Sequence, residues 1–204
     1  LQYYQKENAS VQNGYLTIEA KKQAAGSSQY TSSRLTTRNK QSFKYGRIDI
    51  RGAMPKGQGL WPSFWMLGSS HRSLGWPDCG ELDIMEMVGG SSNGKSDRVT
   101  HGTLHWDNNG QYASYGGKTT TNKKDLNQEF HVYSVIWDET SVKWLLDNRQ
   151  FHETDITSSQ MSEFHEEFFF LFNVAVGGNW PGSPDANTQF PQKMHVDYVR
   201  VFQK

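Results

Sequence analysis

A single cysteine, no net charge and no long apolar run set the first limits on this chain of 204 residues. With only Cys79 there is no intrachain disulfide, and the redox compartment stays open. Twenty-one basic residues balance twenty-one acidic ones, so no basic stripe offers itself to nucleic acid and no charged tail stands out. The apolar stretch Phe168 to Val176 falls far short of the roughly 20 residues that a membrane-crossing helix needs. Leu1-Gln2-Tyr3-Tyr4 does not resemble a signal peptide. The lone sequon, Asn8-Ala9-Ser10, carries little weight for glycosylation.

What the chain has in quantity is aromatic residues, with 7 Trp, 9 Tyr and 11 Phe beside 19 Gly. Its mean hydropathy is nevertheless −0.76. An aromatic-rich but hydrophilic chain shows some rings to solvent, which suits a ligand with apolar faces and polar edges, such as a sugar ring. Most of the rings are expected to fill a β core.

No domain boundary, repeat or low-complexity tract interrupts the sequence, and the length suits one domain. Strand periodicity runs throughout, over 14–20, 29–38, 43–51, 61–68, 81–87, 99–106, 131–137, 142–146, 168–176 and 194–202, with Gly/Asn/Ser/Pro turns between. Only 158–167 has a helical pattern. Many short strands and one short helix predict an all-β sandwich of two antiparallel sheets.

One strand is unusual. Glu81, Asp83 and Glu86 place three carboxylates within six positions of an otherwise apolar segment. Burying a lone carboxylate costs several kcal/mol unless it is paired or hydrogen-bonded, so such a cluster suggests a task for the charges. Alternation puts Glu81 and Asp83 on one face with Met85, and turns Glu86 the other way. A β-bulge near Ile84 or Met85 returns Glu86 to the face of the other two. The carboxyl groups of Glu81 and Glu86 then come to lie on the order of 5–6 Å apart, near the 5–5.5 Å of retaining glycosidases. A solvated acidic face or a cation site remains open as an alternative. On neighbouring strands Trp61, Ser63 and Trp65 share one face, and so do His101, Thr103 and His105.

Six segments in order resemble glycoside hydrolase family 16, in its laminarinase-type endo-β-1,3-glucanases. They are Leu1-Gln2-Tyr3-Tyr4, Tyr45-Gly46-Arg47, the run from Gly59 to Gly68, the run from Trp76 to Glu86, Gly177-Gly178-Asn179-Trp180-Pro181-Gly182, and Val196-Asp197-Tyr198-Val199-Arg200-Val201. The resemblance implies a concanavalin A-like jelly roll with a concave cleft. It also implies a retaining double displacement with Glu81 as nucleophile, Glu86 as general acid/base and Asp83 between them. Substrate contacts would come from Arg51, Trp61, Ser63, Trp65, Trp76, His105 and Trp180. Core packing is the alternative for Trp61 and Trp65, a surface ion pair for Arg51, loop packing for Trp180, and a satisfied polar face for His105.

The resemblance further implies a secreted monomer acting on β-1,3-glucan and also on mixed-linkage glucan, with no nucleic-acid or membrane partner. Two alternatives are a non-catalytic glucan-binding module on the same fold and an algal galactan hydrolase. The latter bind charged or anhydro sugars, whereas the cleft candidates here are mostly neutral aromatics. The chemistry would need no cofactor. A structural calcium would use the Gly46 carbonyl, the Asp197 carboxylate and a ligand from a family segment expected ahead of Leu1, which would also carry a first strand; an ordinary surface carboxylate is the alternative for Asp197.

Overall fold

The computed structural model describes residues 1–91, 94–121 and 124–203. Its strands are β1 (Gln2–Tyr4), β2 (Ala9–Gln12), β3 (Tyr15–Ala20), β4 (Tyr30–Ser32), β5 (Arg34–Thr36), β6 (Gly46–Ala53), β7 (Leu60–Gly68), β8 (Glu81–Glu86), β9 (Val99–Asp107), β10 (Tyr112–Thr120), β11 (His131–Trp137), β12 (Ser141–Leu146), β13 (Arg149–Asp155), β14 (Phe168–Val176) and β15 (Gln192–Phe202). They form a six-stranded sheet in the order β10-β9-β8-β7-β14-β5 and a seven-stranded sheet in the order β13-β12-β11-β6-β15-β3-β2. All pairings within both sheets are antiparallel, while β1 and β4 form a small parallel pair. The predicted two-sheet jelly roll is the observed fold.

Large side chains from the two inner faces close the core. Tyr133 of β11 meets Phe64 of β7 edge to face at 5.9 Å, and Trp137 meets Phe168 of β14 at 5.5 Å. Trp137, Trp144, Tyr133 and Phe64 are fully buried, so much of the aromatic content serves packing. The run 168–176 alternates as a sandwich strand should. Phe168, Phe170, Phe172, Val174 and Val176 join the core, while Asn173 and Ala175 line a cavity on the other face.

Differences from the expected elements are local. The stretch 29–38 divides into β4 and β5, because β4 pairs with β1 while β5 pairs with β14. The expected helix at 158–167 is a 3₁₀ segment, Ser159–His165, interrupted at Met161, where φ is −120°. A single α turn, α1 (His71–Leu74), was not expected from the pattern. The strands β1, β2, β10 and β13 lack a buried alternating face and gave no apolar signal. The sequon asparagine, Asn8, is buried and donates to the Glu19 carbonyl (2.7 Å) and the Thr31 hydroxyl (3.0 Å), so its amide is already used within the fold.

Candidate active site

The outer face of the six-stranded sheet carries the acid cluster. Opposite β9, Glu81 pairs with His105 and Asp83 with Thr103, but Glu86 pairs with His101, so β8 spends three residues where β9 spends two. The ladder to β7 shifts at the same point, from Asp83 opposite Trp65 to Met85 opposite Phe64. This is the expected bulge. Leu82, Ile84 and Met85 all enter the core, while Glu81, Asp83 and Glu86 line one cavity of about 150 Å³.

The bulge is supported from the opposite sheet. The buried indole of Trp144, on β12, donates a 2.8 Å hydrogen bond to the Asp83 carbonyl. That indole reaches β8 past Gly102 of β9, where any side chain would collide with the ring. A backbone oxygen freed by irregular pairing is thereby satisfied, which a buried bulge requires. At the start of β8, Gly80 has φ +74°, and a side chain there would meet Glu163 and Phe168.

Polar contacts fix the three carboxyls. Trp61 Nε1 donates to Glu86 Oε1 at 2.8 Å. His105 Nε2 stands 2.9 Å from Asp83 Oδ2 and 4.0 Å from Glu81 Oε1. The approach to Asp83 lies off the N–H axis, so that buried oxygen has no aligned donor. Behind the ring, the Tyr112 hydroxyl is 2.7 Å from His105 Nδ1, and the two rings lie within 16° of parallel. Among the described residues, no lysine or arginine forms an ion pair with Glu81, Asp83 or Glu86.

Burial without cationic neutralisation favours the protonated forms. Burial, then the charge of Asp83, lifts Glu81 to about 8, against opposing pulls from His105 and Trp76. Burial lifts Glu86 to about 7, although the Trp61 hydrogen bond opposes it. Asp83, fully enclosed, rises well above the usual aspartate range, through burial and then the charge of Glu86. The three titrate as one set that retains protons near neutral pH. The Glu81, Asp83 and His105 ligand atoms also lie within 4.8 Å of one another, a spacing compatible with a cation.

Two openings flank the carboxyls. One, of about 390 Å³, is lined by Arg34, Arg38, Trp65, His71, Trp76 and Glu81. The other, of about 460 Å³, is lined by Glu86, His101, His105, Gly116, Lys118 and Trp180. Trp76 is half-exposed and tilts against Tyr112 at 5.2 Å. Trp180 meets Trp61 edge-on at 5.4 Å and His101 at 5.0 Å. Trp65 donates to Asn173 Oδ1 at 2.9 Å, beneath the Arg34 guanidinium. Ser63 is buried in the floor. Trp61, Ser63, Trp65, Trp76, His105 and Trp180 thus lie around the three acids.

Arg51 does not. It stands on β6 in the seven-stranded sheet, 2.5 Å from Asp197 and 4.6 Å above the Phe130 ring. The cleft role expected of it is replaced by a surface ion pair. The expected calcium ligands are not brought together either. Along β6, Gly46 leads into Arg47, which faces Phe202, whereas Arg51 faces Tyr198, next to Asp197. Five residues of strand, roughly 16 Å, separate the two positions, and the Asp197 carboxylate already has a cationic partner. These residues do not fit a shared ion.

Several cleft residues carried little sequence signal. Asn173 is the only polar residue in the apolar run 168–176, which could have marked it. Arg34, Arg38, Lys118 and Tyr112 sit in short or glycine-containing segments where no periodicity singles them out. They also qualify the expectation of a mostly neutral cleft, since Arg34, Arg38 and Lys118 make no ion pair among the described residues. Cys79 is buried, and burial pushes its thiol up to about 11, so it is unreactive at neutral pH.

Comparison with known proteins agrees with this geometry. Residues 2–200 match the model of the glycosyl hydrolases family 16. The clotting factor G alpha subunit of Tachypleus tridentatus is 40% identical over 206 residues, covering all of this chain but 29% of that protein. The β-glucanase of Rhodothermus marinus is 36% identical over 215 residues, covering 99% of this chain and 73% of that protein. The catalytic domain of an endo-1,3-β-glucanase (laminarinase) from Thermotoga petrophila superposes with a TM-score of 0.90 at 43% identity, over 100% of this chain and 82% of that one. With its bulged acid strand at the centre of an open sheet face, the chain belongs to the glycosyl hydrolases family 16.

Proposed function

We propose that the domain cleaves internal linkages of β-1,3-glucan with retention of anomeric configuration, and accepts mixed-linkage β-1,3-1,4-glucan as well. The observation that carries this reading is the bulge, which aims Glu81 and Glu86 into one cavity between two openings. A cleft open at both ends admits a chain on either side of the scissile bond, as endo-cleavage requires. A polymeric substrate of this kind places the work outside the cell.

In the first step Glu81 attacks the anomeric carbon, while the proton on Glu86 passes to the departing glycosidic oxygen. A glycosyl ester on Glu81 results. In the second step the Glu86 carboxylate takes a proton from water, the water oxygen bonds to the anomeric carbon, and the ester bond to Glu81 breaks. The nucleophile is required as an anion although burial raises it. Asp83, the deeper carboxyl, is hydrogen-bonded to Glu81, so the two share a proton that must leave the nucleophile before attack. Trp61 positions Glu86 through its indole N–H.

The test compares release of oligosaccharides from laminarin, lichenan and agarose by the wild type and by Glu81→Ser, at matched folded concentration. Laminarin cleavage that falls at least about 10³-fold in the variant supports the assignment. Undiminished cleavage in the variant would remove Glu81 as nucleophile. Binding of laminarin by the folded wild type without cleavage of any polymer would favour a glucan-binding module, and cleavage confined to agarose would favour a galactan hydrolase.

A further inference from the structure

The Tyr112 hydroxyl has a neighbour that the reaction scheme above does not use. It meets Nδ1 of His105 at 2.7 Å, and the far nitrogen of the same ring stands 2.9 Å from Asp83 Oδ2. An imidazole has one proton to place when neutral, and the partner of one nitrogen decides which nitrogen carries it. We propose that Tyr112 is a positioning residue for the acid cluster. Its O–H donates to Nδ1, which sets the Nε2–H tautomer of His105 and so puts the ring proton on the nitrogen beside Asp83. This inference rests on the hydrolytic reading only for its kinetic consequences.

The geometry favours this direction of donation. Asp83 is enclosed, and its Oδ2 lacks an aligned donor, so it is the acceptor that an Nε2–H would satisfy. A small rotation of the ring would bring the N–H into line, and active-site hydrogen bonds often tighten in the bound state. A Nδ1–H tautomer would instead set a bare nitrogen against the carboxyl and draw a proton of the Asp83–Glu81 pair toward His105. The relay Tyr112, His105, Asp83, Glu81 therefore keeps the hydrogen bond between Asp83 and Glu81 in place. Tyr112 has a second task, since its ring packs against Trp76 at 5.2 Å on the rim of the cleft. The charged and titratable groups around the His105 ring are Glu81, Asp83 and Glu86 from β8, His101 from β9, and Tyr112 and Lys118 from β10.

Two variants separate the tasks. Tyr112→Phe keeps the ring and loses the hydroxyl, so kcat on laminarin is expected to fall about 5- to 10-fold, the scale of one lost hydrogen bond, with KM little changed. Tyr112→Leu loses the ring as well, so KM also rises. The decisive readout is the ¹⁵N spectrum of the histidine side chains. His105 should show the Nε2–H tautomer in the wild type and a mixed or reversed tautomer in Tyr112→Phe, at matched thermal stability. A Nδ1–H tautomer in the wild type, or an unchanged tautomer and kcat in Tyr112→Phe, would overturn the proposal. Should laminarin not be a substrate, the tautomer measurement still decides the positioning role, so the two failures are distinguishable.

Discussion

The two sheets treat the same residue types in opposite ways. On the seven-stranded sheet, Asp49 meets Arg47 at 2.8 Å, Asp197 meets Arg51 at 2.5 Å, and Glu19 lies within reach of Lys21 (2.8 Å) and Lys193 (3.5 Å). On the six-stranded sheet, Asp83 and Glu86 are buried and Glu81 partly so, and among the described residues the three form no ion pair with a lysine or arginine, His105 alone coming within 4.0 Å as a titratable base. The protonation differs accordingly. Burial works against the charge of Glu19, but Lys21 and Lys193 outweigh it and hold its carboxyl below the usual range. In the cleft nothing outweighs burial, and all three carboxyls are raised. One face has its charges matched for stability, whereas the other withholds matching so that a proton stays available for transfer.

The largest effect that tests this contrast comes from Glu86. Replacing it by Gln removes the transferable proton but keeps the shape and the acceptor for Trp61. Turnover of laminarin should fall about 10²- to 10⁴-fold. Stability should move the other way. Because the native state keeps protons that the unfolded chain releases above about 4.5, stability falls as pH rises from there through about 7 to 8. Glu86→Gln therefore gains about 2–4 °C in Tm at pH 8 and nothing at pH 5, read by scanning calorimetry. A lower Tm at pH 8 would mean that the wild-type carboxylate is better solvated than its burial implies.

The smallest effect belongs to the other sheet. Arg51→Gln breaks a partly exposed pair and costs up to about 1 kcal/mol in urea unfolding, with laminarin turnover unchanged. A large loss of turnover would return Arg51 to the cleft and erase the contrast between the faces.

How much of this was visible in the sequence depends on whether a residue's task is local. Glu81, Asp83 and Glu86 were legible because three acids in an apolar strand are costly, and because the bulge follows from their spacing. The alternation of Trp61, Ser63 and Trp65 likewise reports a face directly. Arg51 was placed in the cleft by resemblance, and alternation could not correct this, since it shows that a residue points outward without saying from which sheet. Trp61 was expected to meet substrate, yet its N–H is spent on Glu86, a partner 25 positions away. Tyr112 and Trp144 act through contacts between strands or between sheets, which no single segment encodes. Gly46 and Asp197 show the same limit, since their separation is a matter of ladder register.

The central claim is that burial without a cationic partner keeps protons on the cleft carboxyls, while the lysine-paired Glu19 is held below the usual range. It is tested most directly by a ¹³C-carboxyl NMR titration of the substrate-free protein with labelled glutamate, which places both faces in one experiment. The account predicts apparent midpoints near 7 to 8 for the signals lost in Glu81→Gln and Glu86→Gln, with Glu19 titrating below the usual 4.5. Midpoints for Glu81 and Glu86 that coincide with that of Glu19 would contradict it.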